Sequence, residues 1–192
     1  MIIQNNIPDI YTITGDYPCN KNNFLSKIFD KIKNNSFRMI QIRSKFFTLQ
    51  EHNDIVNRSM KMAQHYSTTI LLNYDNIDPR HDFCRAHGVH LSGSGLLNYV
   101  PGQYGNKIVG ASCHDEQQIK ICEQKKVNFI TISPIRSTHS HLDAQPLGWK
   151  KFSYFVSKTS LKCFALGGVR IEDLEKIKNM GGYGVAGIKN FW

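Results

Sequence analysis

The segment Lys162-Cys163-Phe164-Ala165-Leu166-Gly167-Gly168-Val169 runs from a short apolar stretch directly into paired glycines. A helical stretch follows from Ile171 to Lys178, and Tyr183 to Gly187 then reads as another apolar strand with a glycine at its end. Strand, glycine turn, helix and strand form a βα unit with its successor. The glycines fall where the chain leaves a strand for a helix.

The same unit recurs along the chain. Further strands are expected near Ile10 to Thr14, Arg38 to Arg43, Thr68 to Asn73, Gly88 to Leu91, Lys107 to Ser112 and Val127 to Ser133. Between the strands lie helical stretches at Asn22 to Lys33, Thr48 to Tyr66, Asp115 to Lys125 and Trp149 to Lys158. Thr48 followed three residues later by Glu51 predicts a capping box, and Ser112 with Asp115 is expected to open the helix after the fifth strand. Eight strands alternating with helices, at about 25 residues per unit, predict an α/β fold, a (β/α)8 TIM barrel, as a single domain over 1–192. Its last helix is expected to be short or missing, because Trp192 follows the eighth strand so closely. An open doubly wound sheet is the alternative, since periodicity reports βα units and not closure.

Composition narrows the class. The chain has 192 residues, 41% apolar and 11% aromatic, which suits one sizeable globular core. No stretch approaches the apolar length of a membrane span, and Met1 to Asn6 lacks the pattern of a secretory signal, so a cytoplasmic location is expected. The five cysteines, Cys19, Cys84, Cys113, Cys122 and Cys163, include no CxxC pair and predict free thiols. The formal charge of +9 is spread over helix faces such as Lys31 to Lys33 and Lys120 to Lys126, which disfavours a nucleic-acid patch.

Polar residues gather at the predicted strand ends, where a barrel carries its functional loops. Gln41, Arg43 and Lys45 alternate with Ile40, Ile42 and Ser44, so a period of two puts all three on one face. Two half-buried cations need a partner, either a phosphate or pyrophosphate or an internal carboxylate. The turn at Gly167 and Gly168 and a second one at Gly187 and Ile188 offer backbone N–H groups, with the dipole of a following helix, to a phosphate. Ser112 and His114 share one side of a strand end, where a histidine acts either as a general acid and base or as a surface capping residue. His139 and His141 have no carboxylate or cysteine at ligand spacing beside them, so no metal site is assigned and a substrate loop is expected. Cys113 is read as an inert thiol.

Taken in order, Gln41-Ile42-Arg43-Ser44-Lys45, Leu72-Asn73, Gly88-Val89-His90-Leu91, Gly110-Ala111-Ser112-Cys113-His114, Ser133-Pro134 with Thr138, Ala165-Leu166-Gly167-Gly168 and Gly184-Val185-Ala186-Gly187 resemble the thiamin phosphate synthase and thiazole tautomerase superfamily. A tighter likeness, through Ser112-Cys113-His114, Ser140-His141, Leu147-Gly148-Trp149 and Gly187 to Trp192, is to the synthase-like domain that follows a Nudix hydrolase in some bacterial fusions. A separate Nudix hydrolase is therefore among the expected partners; a second copy of the chain is another, independent of that likeness. The resemblance implies a transferase that joins hydroxymethylpyrimidine pyrophosphate to thiazole phosphate with Mg2+. It also implies that Gln41, Arg43, Lys45, Asn73 and Ser112 hold the pyrimidine pyrophosphate; Ser112, Lys45 and, from its own acid–base chemistry, His114 are the candidate catalytic residues. Thr138, Ser140 and His141 would face the thiazole and pyrophosphate, and Gly167, Gly168, Gly187 and Ile188 would hold the thiazole phosphate.

Three positions depart from the family pattern. Tyr74 stands where the first magnesium aspartate is expected, Gly95 near the second, and His141 in place of a pyrophosphate lysine. Mg2+ demands hard oxygen ligands, commonly a carboxylate, which neither Tyr74 nor Gly95 provides. A metal-free thiazole phosphate tautomerase, which needs only acid–base transfer and a phosphate site, is the alternative activity, and a non-catalytic binder of thiamin precursors is the alternative of a different class.

Overall fold

The computed structural model describes residues 7–15, 19–34, 37–43, 46–76, 86–138 and 145–192. Eight strands, β1 (Ile10–Ile13), β2 (Met39–Ile42), β3 (Thr69–Asn73), β4 (Gly88–Leu91), β5 (Ile108–Cys113), β6 (Phe129–Ile132), β7 (Lys162–Leu166) and β8 (Gly184–Gly187), close into a barrel in chain order. Every pairing is parallel, and β8 meets β1 in the register Tyr11 opposite Ala186 and Thr12 opposite Gly187. That contact decides between the two arrangements left open by periodicity. An open sheet would leave β1 and β8 as edges with unpaired backbone groups, whereas closure pairs them.

The helices are α1 (Lys21–Lys33), α2 (Leu49–Tyr66), α3 (Gly93–Asn98), α4 (Glu116–Gln124), α5 (Gly148–Val156) and α6 (Leu174–Asn179), with 3-10 turns at Tyr74–Asn76 and Ile171–Asp173. Thr48 caps α2 as expected: its Oγ1 accepts the Glu51 N–H at 3.3 Å while the Glu51 carboxylate accepts the Thr48 N–H at 3.0 Å. The start of α4 differs from expectation. Asp115 alone is the cap, accepting the Gln118 N–H at 2.8 Å, while Ser112 stays within β5. The stretch expected as one helix from Ile171 begins as a 3-10 turn and becomes helical at Leu174. After β8 a tight turn replaces a helix, with the Phe191 and Trp192 N–H groups both donating to the Ile188 carbonyl. Trp192 then lies 5.4 Å from the Phe24 ring, and Phe191 covers Gly187.

Strand alternation sorts the core into an inner and an outer layer. Tyr11, Met39, Leu71, Ile108, Phe129, Phe164 and Ala186 fill the barrel lumen. Ile40, Ile42, Ile70 and Leu72 point outward against Phe24, Leu25, Ile28 and Ile55 of α1 and α2. Val89, Val109, Ala111, Ile130 and Ile132 pack outward with Ile119, Phe152 and Phe155 of α4 and α5. In the lumen the rings of Tyr11, Phe129 and Phe164 meet edge to face at 5.3 to 5.9 Å, the arrangement that aligns positive ring edges with negative faces. Gly110 makes room for them: a Cβ there would fall 2.2 Å from Phe129. This aromatic plug is the floor on which the strand-end polar residues stand.

Candidate functional site

At the C-terminal ends of the strands the inward alternation switches from apolar to polar. Met39 gives way to Gln41, Leu71 to Asn73, Ile108 to Ser112 and Phe129 to Thr131. Gln41 and Asn73 are buried, and Arg43 and Ser112 are half-buried. The backbone at Arg43 is fixed by Thr14, whose Oγ1 accepts the Arg43 N–H at 2.8 Å and donates to the Arg43 carbonyl at 2.6 Å. Asn73 turns its Oδ1 back onto the Asp75 N–H at 2.9 Å, so part of its hydrogen-bonding capacity shapes the turn after β3. Lys45, Ser140 and His141, together with His139, lie outside the described residues.

A buried chain of hydrogen bonds crosses the lumen beneath this rim. Tyr11 donates to Gln41 Oε1 at 2.7 Å, the Tyr11 oxygen lies 3.2 Å from His90 Nδ1, and His90 Nε2 lies 3.0 Å from Ser112 Oγ. Thr131 Oγ1 stands 3.5 Å from the same Nε2. His90 is 4% exposed, and burial drives its ring down to about pKa 3, so it is neutral at physiological pH. Burial likewise holds the Tyr11 phenol well above its ordinary range.

His114 sits on the exposed rim just past β5. Its Nδ1 is 2.8 Å from the Ser133 carbonyl, an acceptor with no hydrogen to give, so Nδ1 carries the proton in this contact. The second ring nitrogen, Nε2, is then the basic one. Ser112 and His114 thus serve one rim differently: the serine points down to His90 and the histidine across to β6.

The loops after β6 and β7 are fastened to each other. Ile135 N–H donates to the Leu166 carbonyl at 2.9 Å, and Arg136 N–H to the Gly167 carbonyl at 3.0 Å. Gly167 and Gly168 both have positive φ, 93° and 68°, and a Cβ on either would meet the β6 loop at 2.8 Å or less. Arg136 forks onto Asp173 at 2.8 and 2.9 Å, donates to the Gly168 carbonyl at 3.2 Å, and stacks 5.2 Å from the Trp149 ring. Asn190 reaches from the turn after β8 to the Val169 carbonyl at 3.3 Å, so the turns at Gly167–Gly168 and Gly187–Ile188 are adjacent and tied. Thr138 is half-buried at the end of the described β6 loop.

The expected helix-dipole contribution to anion binding is corrected by these elements. A 3-10 turn follows the β7 turn, α6 has only six residues, and no helix follows β8 among the described residues. Backbone N–H groups and nearby cations are what these turns could offer an anion.

Partial burial opposes ionisation of Asp173, but hydrogen bonds from Arg136 and the Arg170 N–H outweigh it and hold the carboxyl below its ordinary range. A depressed carboxyl contributes stability that is present above its unfolded-state pKa and lost as pH falls through the folded-state value. Asp173→Asn is therefore expected to flatten the acid limb of Tm against pH below about pH 4. Thermal melts at steps through that range would disprove the assignment if the limb kept its wild-type slope.

At the β3–β4 side of the mouth Tyr74 lies on Gly95, where a Cβ would fall 2.6 Å from the ring. Asp75 is exposed, and its Oδ1 accepts the Ser92 hydroxyl at 2.8 Å. Among the described residues no cluster of three His, Cys, Asp or Glu side chains has metal-binding geometry. Cys113 is buried with its sulfur 3.5 Å from that of Cys122, a contact that with burial raises its pKa.

A closed parallel barrel with its polar rim at the strand ends defines the class of the molecule, a (β/α)8 barrel of the kind that builds its site at that face. The sequence profile of the family described as thiamine monophosphate synthase matches residues 10–191. The "Putative thiamine-phosphate synthase 2" of Aquifex aeolicus is 33% identical over 189 residues, covering 96% of this chain and 98% of the relative. The thiamine-phosphate synthase of Methanococcus maripaludis is 24% identical over 148 residues, 77% of this chain and 70% of the relative. Among solved structures, the thiamine phosphate pyrophosphorylase from Pyrococcus furiosus shares the fold, with a TM-score of 0.75 over 94% of this chain and 85% of its own, at 18% identity. The chain belongs to the thiamine monophosphate synthase family.

Two groups in the site were not singled out as site residues by their types. Tyr11 reads as an ordinary apolar strand residue, and Thr131 as a β-former inside a buried run. Their inward parity was the available signal, since both share a face with lumen residues.

Proposed function

We propose that this member of the family acts on thiazole phosphate, held by the turns at Gly167–Gly168 and Gly187–Ile188, and that it does so without a two-carboxylate magnesium centre. The observation that carries this reading is Tyr74 lying on Gly95. The ring fills the space into which a side chain at position 95 would project, so both carboxylate positions are lost together. Asp75 would supply at most one carboxylate at a shifted position, with its Oδ1 already accepting the Ser92 hydroxyl. A magnesium ion needs near-octahedral oxygen ligation and commonly a protein carboxylate, and these residues do not form that set.

Metal-free acid–base transfer is the chemistry the remaining groups support. His114, with Nδ1 on the Ser133 carbonyl, offers Nε2 to take a proton from the ring-bearing ligand and return it at another atom. Thr138, Ser140 and His141 would form a loop over the thiazole phosphate, while Gln41, Ser112, Arg43, Lys45 and Asn73 would line the adjoining part of the mouth, where the family resemblance puts a pyrimidine ligand. Transfer of the pyrimidine group is the second reading, favoured by membership of the family and by the relatives' names.

Purified protein given thiazole phosphate and hydroxymethylpyrimidine pyrophosphate, with Mg2+ or with a chelator, separates the two. Thiazole phosphate is expected to bind equally well in both conditions, with no thiamin phosphate formed. Magnesium-dependent accumulation of thiamin phosphate would establish the transferase reading and remove the metal-free one. Absence of thiazole phosphate binding in both conditions would remove both.

A further inference from the structure

The lumen chain has a direction, because some of its atoms can only accept. Gln41 Oε1 carries no hydrogen, so the Tyr11 hydroxyl spends its single proton there. The contact between the Tyr11 oxygen and His90 Nδ1 then needs a hydrogen from the ring, which puts the proton of the neutral imidazole on Nδ1. Nε2 is left with a lone pair, and the Ser112 hydroxyl donates to it. With its own hydrogen directed inward, Ser112 Oγ offers the mouth only acceptor lone pairs. Gln41, its carbonyl occupied by Tyr11, offers the mouth its amide N–H groups.

We propose that His90 is a positioning residue which, held as the Nδ1–H tautomer by Tyr11, fixes Gln41 as a donor and Ser112 as an acceptor toward the ligand. The site would therefore select a ligand edge that presents an acceptor to Gln41 and a hydrogen to Ser112. The proposal rests on the reading that Gln41 and Ser112 line the ligand site. Four features make the lumen suited to this task. His90 is buried against Phe129 at 5.7 Å, which keeps it uncharged. Tyr11 is itself wedged between Phe129 and Phe164, so the phenol cannot swing away. The four groups come from β1, β2, β4 and β5, so barrel closure holds their spacing. Reversing one link forces the others to reverse, because Tyr11, the neutral His90 ring and Ser112 each have one proton to place and Gln41 meets Tyr11 through either its carbonyl or its amide end.

The chain is tested by 15N-histidine-labelled protein in long-range 1H–15N spectra between pH 6 and 8. The expected pattern for His90 is a protonated, pyrrole-type Nδ1 and an unprotonated, pyridine-type Nε2 that does not titrate across this range. A pyrrole-type Nε2, or an imidazolium, overturns the proposal. Tyr11→Phe removes the acceptor for Nδ1–H, and its His90 is expected to switch to the Nε2–H tautomer. An unchanged tautomer in that variant would equally overturn it. The link to the ligand is read by titrating Tyr11→Phe with hydroxymethylpyrimidine pyrophosphate and with thiazole phosphate. Affinity for the pyrimidine compound is expected to fall about tenfold or more, which corresponds to about 1.4 kcal/mol, with thiazole phosphate binding unchanged. Equal affinity for the pyrimidine in wild type and variant defeats the positioning role. Wild-type protein that binds neither compound defeats the reading of the site instead, whatever the tautomer. Tyr11→Phe keeps the ring, so the aromatic plug remains packed and the variant is expected to fold.

Discussion

His114→Ala is expected to lower turnover of thiazole phosphate by about 10²- to 10⁴-fold, the span that one general acid–base group contributes, with the KM changed far less. The expectation follows from the division of labour in the ring. Nδ1 is committed to the Ser133 carbonyl at 2.8 Å, which both orients the imidazole and leaves Nε2 as its basic nitrogen. The rim position matters as much as the tautomer. His90 is buried beneath the rim and kept neutral by desolvation, whereas His114 is exposed on the rim, where a ligand can reach it. The alanine variant also frees the end of β6, so His114→Asn is the sharper variant. Its amide can still donate to Ser133 but has no basic nitrogen. Activity lost in both variants with thiazole phosphate affinity retained supports proton transfer. Activity retained in the asparagine variant would reassign His114 to holding the rim, and affinity lost in both would make it a binding residue.

How far the sequence reaches differs between the layers of the molecule. Strand positions were legible to within about two residues because parallel strands buried on both faces are short, nearly continuous apolar runs. The α2 start was legible because Thr48 and Glu51 form a purely local motif. Helix α3 was not anticipated: Gly93 and Gly95 lower its helical propensity, and tertiary packing of Leu96 holds it in place. The split of the Ile171 stretch was likewise hidden, since the Arg170–Asp173 capping contacts tighten its first turn.

For the candidate site, the rim residues were visible through strand-end polarity, but their connections were not. Tyr11 and His90 are 79 positions apart and meet only because closure brings β1 and β4 to the same lumen. Tyr74 and Gly95 each looked like an isolated departure from the family pattern. Their contact puts one ring over one glycine, and the proposed metal-free reading takes the two departures as one. A carboxylate introduced at position 95 alone would therefore be driven into Tyr74, so that substitution needs a smaller residue at position 74 beside it.

The phosphate end of the site yields the other large effect, through Gly167. At φ 93° a β-carbon is strained in itself, and here it would also fall 2.8 Å from the Pro134 Cα, a backbone atom that cannot rotate aside. Gly167→Ala must therefore push the β7 turn off the β6 loop and stretch the two backbone hydrogen bonds, at Ile135 and Arg136, that fasten them. The conformational strain alone is worth about 1–3 kcal/mol. Because the same turn is the proposed phosphate cradle, thiazole phosphate affinity is expected to fall by more than about tenfold. Gly102→Ala is the matched control. Gly102 has a comparable φ of 86° but nothing within 4 Å of its Cβ position, so it suffers the strain without the collision. Isothermal titration with thiazole phosphate, alongside urea denaturation, reads both consequences. A larger stability loss in Gly167→Ala than in Gly102→Ala, with affinity lost only in Gly167→Ala, places the phosphate at this turn. Full affinity in a folded Gly167→Ala protein would move it elsewhere on the barrel.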